Sequence, residues 1–321
     1  MFVAGQMHRW VNRSMALRWQ RSIATFATLG AILSPLHAGP QLFCKGSLPR
    51  RQPPGRPAIC SLAALPVSPM LRDRHIDERL PMSKTQAAVV LGASRSVGNA
   101  LITELIRHGS FKPIVTLVRR SQPDQVAMAR DAGVELREVL VPVMDPAGLE
   151  AATTEAIRSL AGDVVGLSVL GVGAGTAKLT IDEHRAVDVH LNAAFARGLK
   201  ASGHVNHLAF MSAVGADPTA SATGSGAAGM ARYARVKGES EEAVKQSGPA
   251  VVSIFRPATI LGSQHTPRLL EKVLPVFSFM TPAKYKSITV EQIAKAMIAT
   301  SLAPPARSNV YHYPEMLALG R

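Results

Sequence analysis

The stretch Leu91-Gly-Ala-Ser-Arg-Ser-Val-Gly98 decides how the chain folds. It follows a short apolar run, Ala87–Leu91, and leads into a helical pattern of apolar residues over Val97–His108. An apolar run of this length, bounded by glycine, predicts a buried strand. The stretch is therefore a tight glycine-containing turn from a strand into a helix. The free N–H groups and positive dipole end of such a helix bind phosphate.

Apolar runs and helical patterns alternate through the rest of the chain. The predicted strands are Ala87–Leu91, Ile114–Val118, Glu135–Val141, Val164–Leu170, His207–Met211 and Val251–Phe255. The predicted helices are Val97–His108, Gln125–Ala132, Pro146–Leu160, Ile181–Ala201, Ala228–Gln246 and Val290–Leu302, with a last short strand near Asn309–His312. Apolar strands separated by helices indicate a parallel sheet covered on both faces. We therefore predict the α/β class, with a doubly wound parallel sheet (Rossmann fold) in a single domain.

The charge is unevenly distributed along the 321 residues. The chain has 36 Lys and Arg against 22 Asp and Glu, of which 11 and 3 lie in the first 81 residues. The remainder carries a net charge of +6, so it is only mildly basic and a nucleic-acid partner is not expected. Both cysteines, Cys44 and Cys60, also lie in the first 81 residues. The rest of the chain therefore has neither a disulfide framework nor a thiol nucleophile, which suits a reducing compartment.

Residues 1–81 are predicted to be an N-terminal extension, and residues 82–321 the folded domain. Met1–Leu71 contains no acidic residue, and its apolar run Ile23–Leu36 is too short to span a bilayer. The extension is interpreted as a mitochondrial-type transit peptide, as a secretory signal, or as sequence upstream of a true start at Met82. The third interpretation is favoured, because the composition changes at Met82 and a strand follows at once. We thus expect a cytoplasmic protein, with a mitochondrial location as the alternative, and no stable membrane insertion.

Two arginines follow the second predicted strand, at Val118-Arg119-Arg120. In dinucleotide-binding proteins that prefer NAD, an acidic residue near this point binds the ribose 2′-hydroxyl. This chain has none there, and a guanidinium group can bind a phosphate through two hydrogen bonds. Arg119, together with Arg95 in the glycine turn, therefore favours NADP as cofactor. Arg120 is expected to be a solvated strand end.

Ser212, Tyr233 and Lys237 are the predicted catalytic residues. Ser212 directly follows the fifth strand, and Tyr233-Ala-Arg-Val-Lys237 lies in the next helix. The spacing of four residues puts Tyr233 and Lys237 on one helical face. A nearby ammonium stabilises a phenolate, which allows a tyrosine to exchange a proton with a substrate oxygen while a hydride moves at a nicotinamide. The serine hydroxyl would hold the substrate carbonyl.

These stretches together resemble a known family. The glycine turn resembles that of the short-chain dehydrogenases and reductases. Phe210-Met-Ser-Ala-Val-Gly-Ala-Asp217, Tyr233-x-x-Val-Lys-Gly-Glu239 and Phe255-Arg-Pro-Ala-Thr-Ile-Leu-Gly262 resemble the atypical members of the Tat-interacting oxidoreductase group. The resemblance runs from about Ala87 to Leu302. It implies cofactor contacts from the following residues: Gly92, Ser94, Arg95, Ser96, Val97, Gly98, Arg119, Asp145, Gly171, Tyr233, Lys237, Pro257 and Thr259. In the family, the position of Asp145 contacts the adenine and that of Gly171 borders the adenosine ribose. The positions of Pro257 and Thr259 border the nicotinamide.

The chain departs from the family pattern at two places. One glycine of the turn is replaced by Ser96 or by Arg95, depending on the alignment. Many active members also carry an asparagine in the long helix before the fifth strand, where it feeds a proton relay. The matching position here is Asp188, with Asn192 one turn later.

Two functions are consistent with the sequence. The first is an NADPH-dependent oxidoreductase of the short-chain type that reduces a small carbonyl or enone substrate. The second is a non-catalytic NADPH-binding regulator or assembly factor. The intact Ser212, Tyr233 and Lys237 set favours the first. The segment Ser263–Lys286 is expected to line the substrate pocket. No metal site is predicted, and four histidines, His184, His190, His204 and His207, are expected to be solvated or to cap helices.

Overall fold

A computed structural model describes residues 86–173, 176, 179–223, 227–262 and 282–321. The predicted N-terminal extension and its boundary at Met82 lie outside these residues. So does most of the predicted pocket segment, residues 263–281. In the described part, no helix is both long enough and apolar enough to cross a membrane.

Seven strands form a parallel sheet in the order β3-β2-β1-β4-β5-β6-β9. A second pair, β7 and β8, is also parallel. The strands are β1 Gln86–Leu91, β2 Phe111–Val118, β3 Leu136–Leu140, β4 Asp163–Ser168, β5 Val205–Met211, β6 Val251–Phe255, β7 Ile260–Leu261, β8 Ile288–Thr289 and β9 Asn309–Tyr311. The order reverses between β1 and β4, and ligands of doubly wound sheets bind beyond the strand ends at such a switch point.

Eight α-helices are described around the sheet. They are α1 Ser96–His108, α2 Pro123–Asp131, α3 Pro146–Arg158, α4 Ile181–Arg185, α5 Asn192–Ala201, α6 Ala227–Ser247, α7 Val290–Leu302 and α8 Tyr313–Leu319. A π-helical turn, Ala186–Leu191, joins α4 to α5.

The core has two layers because both faces of the sheet are buried. Along β1, Ala88 and Val90 pack into one apolar cluster with residues of α1 and α7, whereas Val89 and Leu91 pack into another with α3 and α5. Successive side chains of a strand point to opposite faces, so an apolar run without alternation is what a sheet covered on both sides requires. The predicted α/β class, with a doubly wound parallel sheet in a single Rossmann domain, is confirmed.

Some elements differ from their prediction. The predicted helix Ile181–Ala201 is interrupted by the π-helical turn, which its residue pattern did not indicate. The pairing of β7 with β8 and the helix α8 were not predicted either. Strands of two residues and a helix of seven are too short for a periodic pattern to stand out in the sequence.

Candidate active site

Two glycines shape the turn between β1 and α1. Gly92 has φ +92°, and a Cβ there would lie 2.6 Å from the backbone nitrogen of Leu170 at the end of β4. A Cβ on Gly98 would overlap the carbonyl oxygen of Gly92. The first turn of α1 is therefore pressed against the turn that precedes it, as the sequence predicted. Arg95 is the N-cap, and its side chain makes no capping hydrogen bond.

Gln125 on α2 stabilises this turn through hydrogen bonds. This contact was not predicted. The buried side chain of Gln125 donates hydrogen bonds to the carbonyl oxygen of Ala93, at 2.9 Å, and to Oδ1 of Asn99, at 2.5 Å. A glutamine in a helix carries no sequence signal for such a contact. The result is a turn held from both sides, with the backbone N–H groups at the start of α1 beside it.

A cavity of about 260 Å³, called the arginine cavity below, lies beyond the end of β2. It is lined by Ser94, Val118, Arg119, Arg120 and Gln122. Both arginines are exposed, and neither forms an ion pair with a carboxylate among the described residues. The cavity thus holds two guanidinium groups, although only Arg119 was predicted to contact the cofactor. Arg95, which was predicted to assist, does not line it.

Glu138 on β3 fixes the loop that follows the two arginines. Its carboxylate accepts hydrogen bonds from the Ser121 hydroxyl, at 2.5 Å, and from the backbone N–H of Gln122, at 2.6 Å. Its negative charge is thereby satisfied by the loop. The arginines are left available to an anion.

Asp145 is the N-cap of α3, and its Oδ1 accepts a hydrogen bond from the Gly148 backbone at 2.9 Å. The side chain thus has a structural partner of its own. The contact with adenine implied by the family resemblance stays a prediction.

A buried ion pair lies at the predicted catalytic lysine. Nζ of Lys237 is 2.6 Å from Oδ1 of Asp188, and the two side chains are 4% and 0% exposed. The other carboxylate oxygen of Asp188 accepts a hydrogen bond from the Val172 backbone at 2.9 Å. A Cβ on Gly171 would lie 3.0 Å from Nζ and 3.2 Å from Oδ1. The absence of a side chain at Gly171 therefore leaves room for the pair, and its predicted contact with a ribose stays a prediction.

Both members of this pair are charged near neutral pH. Burial lowers the pKa of Lys237, but the surrounding acidic groups, chiefly the Asp188 carboxylate, together outweigh burial and leave that pKa above its ordinary value. Burial also raises the pKa of Asp188, and the Lys237 ammonium more than offsets this, so that pKa lies well below its usual range. The charged form of each side chain is thus stabilised by the charge of its partner.

Tyr233 lies beside this pair and against a histidine. Nζ of Lys237 is 5.7 Å from the centroid of the Tyr233 ring. The ring of His184 stacks on the ring of Tyr233, with 5.8 Å between the two ring centroids. His184 is fully buried, and neither ring nitrogen has a hydrogen-bond partner among the described residues. The expectation that His184 and His207 are solvated or cap helices was wrong. Both are buried, and His207 lies in β5 and bonds Ser253 inside the sheet at 2.9 Å.

Ser212 follows β5 at the same edge of the sheet. Its backbone N–H bonds the carbonyl oxygen of Phe255 at 2.7 Å, which extends the pairing with β6. Its hydroxyl oxygen is buried and has no hydrogen-bond partner among the residues described. Because Ser168 pairs with Phe210 across β4 and β5, Ser212 and Gly171 extend from neighbouring strand ends. A buried hydroxyl without a partner is costly, and a substrate oxygen would satisfy it.

The segment after β6 is fixed by backbone contacts. The carbonyl of Pro257 accepts a hydrogen bond from Val214, at 2.9 Å, and that of Thr259 accepts one from Ile288, at 3.0 Å. Pro257 is buried, whereas Thr259 is exposed. Their predicted contacts with the nicotinamide remain predictions.

Comparison with known proteins gives one family match. The NAD(P)H-binding family matches residues 92–304, more than half of the chain. The match includes the glycine turn, the arginine cavity and the Tyr233–Lys237 helix. No curated protein matches the chain.

Three solved structures are similar in fold. A short-chain dehydrogenase/reductase from Serratia marcescens is 17% identical with a TM-score of 0.52, over 71% of this chain and 96% of that one. One from Burkholderia cenocepacia in complex with NADP is 16% identical with a TM-score of 0.51, over 72% and 97%. MoeE5, in complex with UDP-glucuronic acid and NAD, is 16% identical with a TM-score of 0.50, over 70% and 75%. Identities this low show a shared fold and leave function to the site itself.

Proposed function

Because the chain belongs to the NAD(P)H-binding family, we propose that it is an NADPH-dependent oxidoreductase of the short-chain type that reduces a small carbonyl or enone substrate. The observation that carries this proposal is the pairing of Tyr233 with the buried ammonium of Lys237, 5.7 Å from the ring centroid. Lys237 lies against Gly171, which follows β4. Ser212, with its hydroxyl unpartnered among the described residues, extends from the same edge of the sheet.

The residues present fit a dinucleotide. The tight turn at Gly92 and Gly98 leaves backbone N–H groups at the start of α1 for a pyrophosphate. The cavity beyond β2 offers the guanidinium groups of Arg119 and Arg120, with no acidic residue in its lining, to a 2′-phosphate. A similar fold holds NADP in the Burkholderia protein and NAD in MoeE5. It is therefore the arginine cavity of this chain that supports NADPH.

The chemistry follows from what each side chain can do. The bound cofactor supplies a hydride to the substrate carbon. The Ser212 hydroxyl donates a hydrogen bond to the carbonyl oxygen and holds it in place. The Tyr233 phenol gives its proton to that oxygen, so that a C=O bond becomes CH–OH. Lys237 stabilises the phenolate left behind and is in turn held by Asp188.

A non-catalytic NADPH-binding regulator is the second candidate, and one observation favours it. The ammonium of Lys237 is already paired with Asp188 inside the protein. Its ability to stabilise a phenolate is therefore reduced compared with a lone ammonium. Such a protein would bind the cofactor and perform no turnover.

Calorimetry and an enzyme assay separate these functions. The full chain would be titrated with NADPH and NADH, then mixed with NADPH and a panel of aldehydes, ketones, enones and quinones while the absorbance at 340 nm is followed. The proposal expects tighter binding of NADPH and oxidation of NADPH with at least one panel member. Tight NADPH binding with no turnover across the panel would favour the regulator, and equal affinity for the two cofactors would contradict the NADPH assignment.

A further inference from the structure

The carboxylate of Asp188 is the least expected group in the site. It belongs to the π-helical turn between α4 and α5, and its backbone carbonyl accepts hydrogen bonds from the Asn192 amide, at 2.9 Å, and from the Ser240 hydroxyl. Asn192 is itself held by the Ser168 hydroxyl at 2.6 Å. The position of Asp188 is thus fixed from β4, α5 and α6. π-helical turns within helices are frequent at functional sites.

Both carboxylate oxygens of Asp188 have partners. Oδ1 contacts the Lys237 ammonium at 2.6 Å, and Oδ2 accepts the Val172 N–H at 2.9 Å. Nε2 of His184 lies 3.7 Å from Oδ2. The fully buried carboxylate and ammonium form a neutral pair packed against Gly171. Water cannot screen the charges at this depth.

The other charged groups around the pair are matched elsewhere. Glu241 on α6 binds Arg256, which follows β6, through two contacts of 2.8 and 2.6 Å. Glu239, also on α6, binds Arg185 of α4 at 2.8 and 2.7 Å and Arg235 at 2.9 Å. Glu241 also favours the charged form of Lys237 through space, but neither carboxylate contacts the ammonium. Among the described residues, Asp188 alone forms an ion pair with Lys237.

Few titratable groups face Tyr233 itself. His184 of α4 covers one face of the ring, and Lys237 lies one helical turn along α6. Arg232, the neighbouring residue in the chain, donates its guanidinium to the carbonyl oxygen of Thr176 at 3.0 Å. The charge that the phenol experiences from the lysine is consequently set by Asp188.

We propose that Asp188 is a positioning residue that neutralises Lys237 and keeps the Tyr233 phenol protonated, as a proton donor suited to carbonyl reduction. This inference rests on the proposed function. A lone ammonium beside a phenol ring favours the phenolate, and a carboxylate paired with that ammonium cancels much of the effect. Replacing the carboxylate by an amide of the same shape removes the cancellation while keeping an acceptor for the Val172 N–H.

Ultraviolet difference titration of the protein without cofactor tests this directly. The absorbance of tyrosinate near 295 nm would be measured against pH in wild type and Asp188→Asn, each minus the matching protein that also carries Tyr233→Phe. Subtraction removes the other three tyrosines. We expect Asp188→Asn to move the Tyr233 signal to lower pH by about one unit or more. An unchanged midpoint, or one moved to higher pH, would overturn the proposal.

Glu239→Gln is the matched control, since it removes a carboxylate from the same helix, α6, that forms no ion pair with Lys237 among the described residues. It should leave the Tyr233 signal in place, and a shift equal to that of Asp188→Asn would overturn the specific role of Asp188.

If Asp188→Asn does not fold, the ionisation of Asp188 is measured in the wild type by carbon NMR. The Asp188 carboxyl resonance should keep its ionised position below about pH 3.9, the ordinary aspartate midpoint. Protonation at or above that pH would overturn the proposal.

The titration needs no turnover, so it separates the two proposals. Suppose that Asp188→Asn moves the Tyr233 midpoint to lower pH, but the wild type reduces no substrate of the panel. This result would support the role of Asp188 and contradict the proposed reductase activity. Where turnover is found, the alkaline side of the pH–rate profile should move in the same direction in Asp188→Asn. A merely structural role would lower the rate without moving the profile.

Discussion

The imidazole of His184 stacks on the phenol ring of Tyr233, with 5.8 Å between the ring centroids and 20° between the ring planes. His184 belongs to the short helix α4, which begins with a capping box between Thr180 and Glu183. The histidine has no hydrogen-bond partner among the described residues, so its contact with Tyr233 is one of packing. The direction of the candidate catalytic phenol is thus set by a ring from another helix.

We expect His184→Ala to lower turnover by about 10- to 100-fold, because a small misplacement of a reacting group has effects of that size. His184→Phe keeps an aromatic ring in the same place and should restore part of the rate. Stopped-flow or steady-state measurements with NADPH and the best panel substrate would show the difference. If His184→Phe is no better than His184→Ala, the role of the stacked ring is wrong.

The arginine cavity predicts cofactor preference. Arg119→Ala should weaken NADPH binding by about 10- to 100-fold, the cost of one charge-assisted hydrogen bond, and should leave NADH binding nearly unchanged. Arg120→Ala should show a loss in the same direction, since it lines the same cavity. Arg130→Ala, an exposed arginine on α2 paired with Asp131, is the control. Equal losses for NADPH and NADH would contradict a 2′-phosphate contact.

The close approach at Gly98 predicts a second effect on the cofactor. Gly98→Ala puts a methyl group against the carbonyl of Gly92 and must push α1 away from the turn. We expect NADPH affinity to fall by at least about tenfold, because the N–H groups of the helix move with it. Gly109→Ala at the other end of α1, where a Cβ meets nothing within 4 Å but φ is +71°, should lower stability alone. Calorimetry and thermal unfolding of both variants would distinguish the two outcomes.

The buried His207 predicts acid sensitivity. Burial lowers the pKa of His207 from 6.5 to about 4. The unfolded chain therefore binds a proton in this range while the folded protein does not. The protein loses no stability through this group above about pH 6.5. The loss grows as the pH falls from there towards 4, and it reaches about 2.5 kcal/mol at pH 4.5.

Urea unfolding at pH 7 and pH 4.5 would measure this loss. His207→Gln, which can still bond Ser253, should lose less free energy of unfolding between the two pH values than wild type does. His204→Gln, at an exposed histidine, should behave as wild type. Identical losses in wild type and His207→Gln would rule out His207 as the group responsible.

The sequence predicted the framework well because its signals are local. Apolar runs such as Ala87–Leu91 indicated each strand of the first six, and the glycine pattern indicated the tight turn that follows the first of them. Asp188 meets Lys237 through a π-helical turn that no residue pattern signals. The burial of His184 and His207 was missed for a similar reason, since both depend on partners far away in the chain.

In the proposed reaction, Tyr233 gives a proton to a substrate that receives its hydride from NADPH. Deuterium transfer tests both halves: the protein would be given NADPH labelled at the transferred position, and the product of the best panel substrate analysed by mass spectrometry. Wild type should produce a product with one deuterium. Tyr233→Phe should slow its formation by about 10²- to 10⁴-fold, the usual contribution of a general acid, with NADPH affinity nearly intact, and Tyr313→Phe should match wild type. A wild-type protein that binds NADPH yet labels no product, or a Tyr233→Phe variant as fast as wild type, would contradict this role of Tyr233.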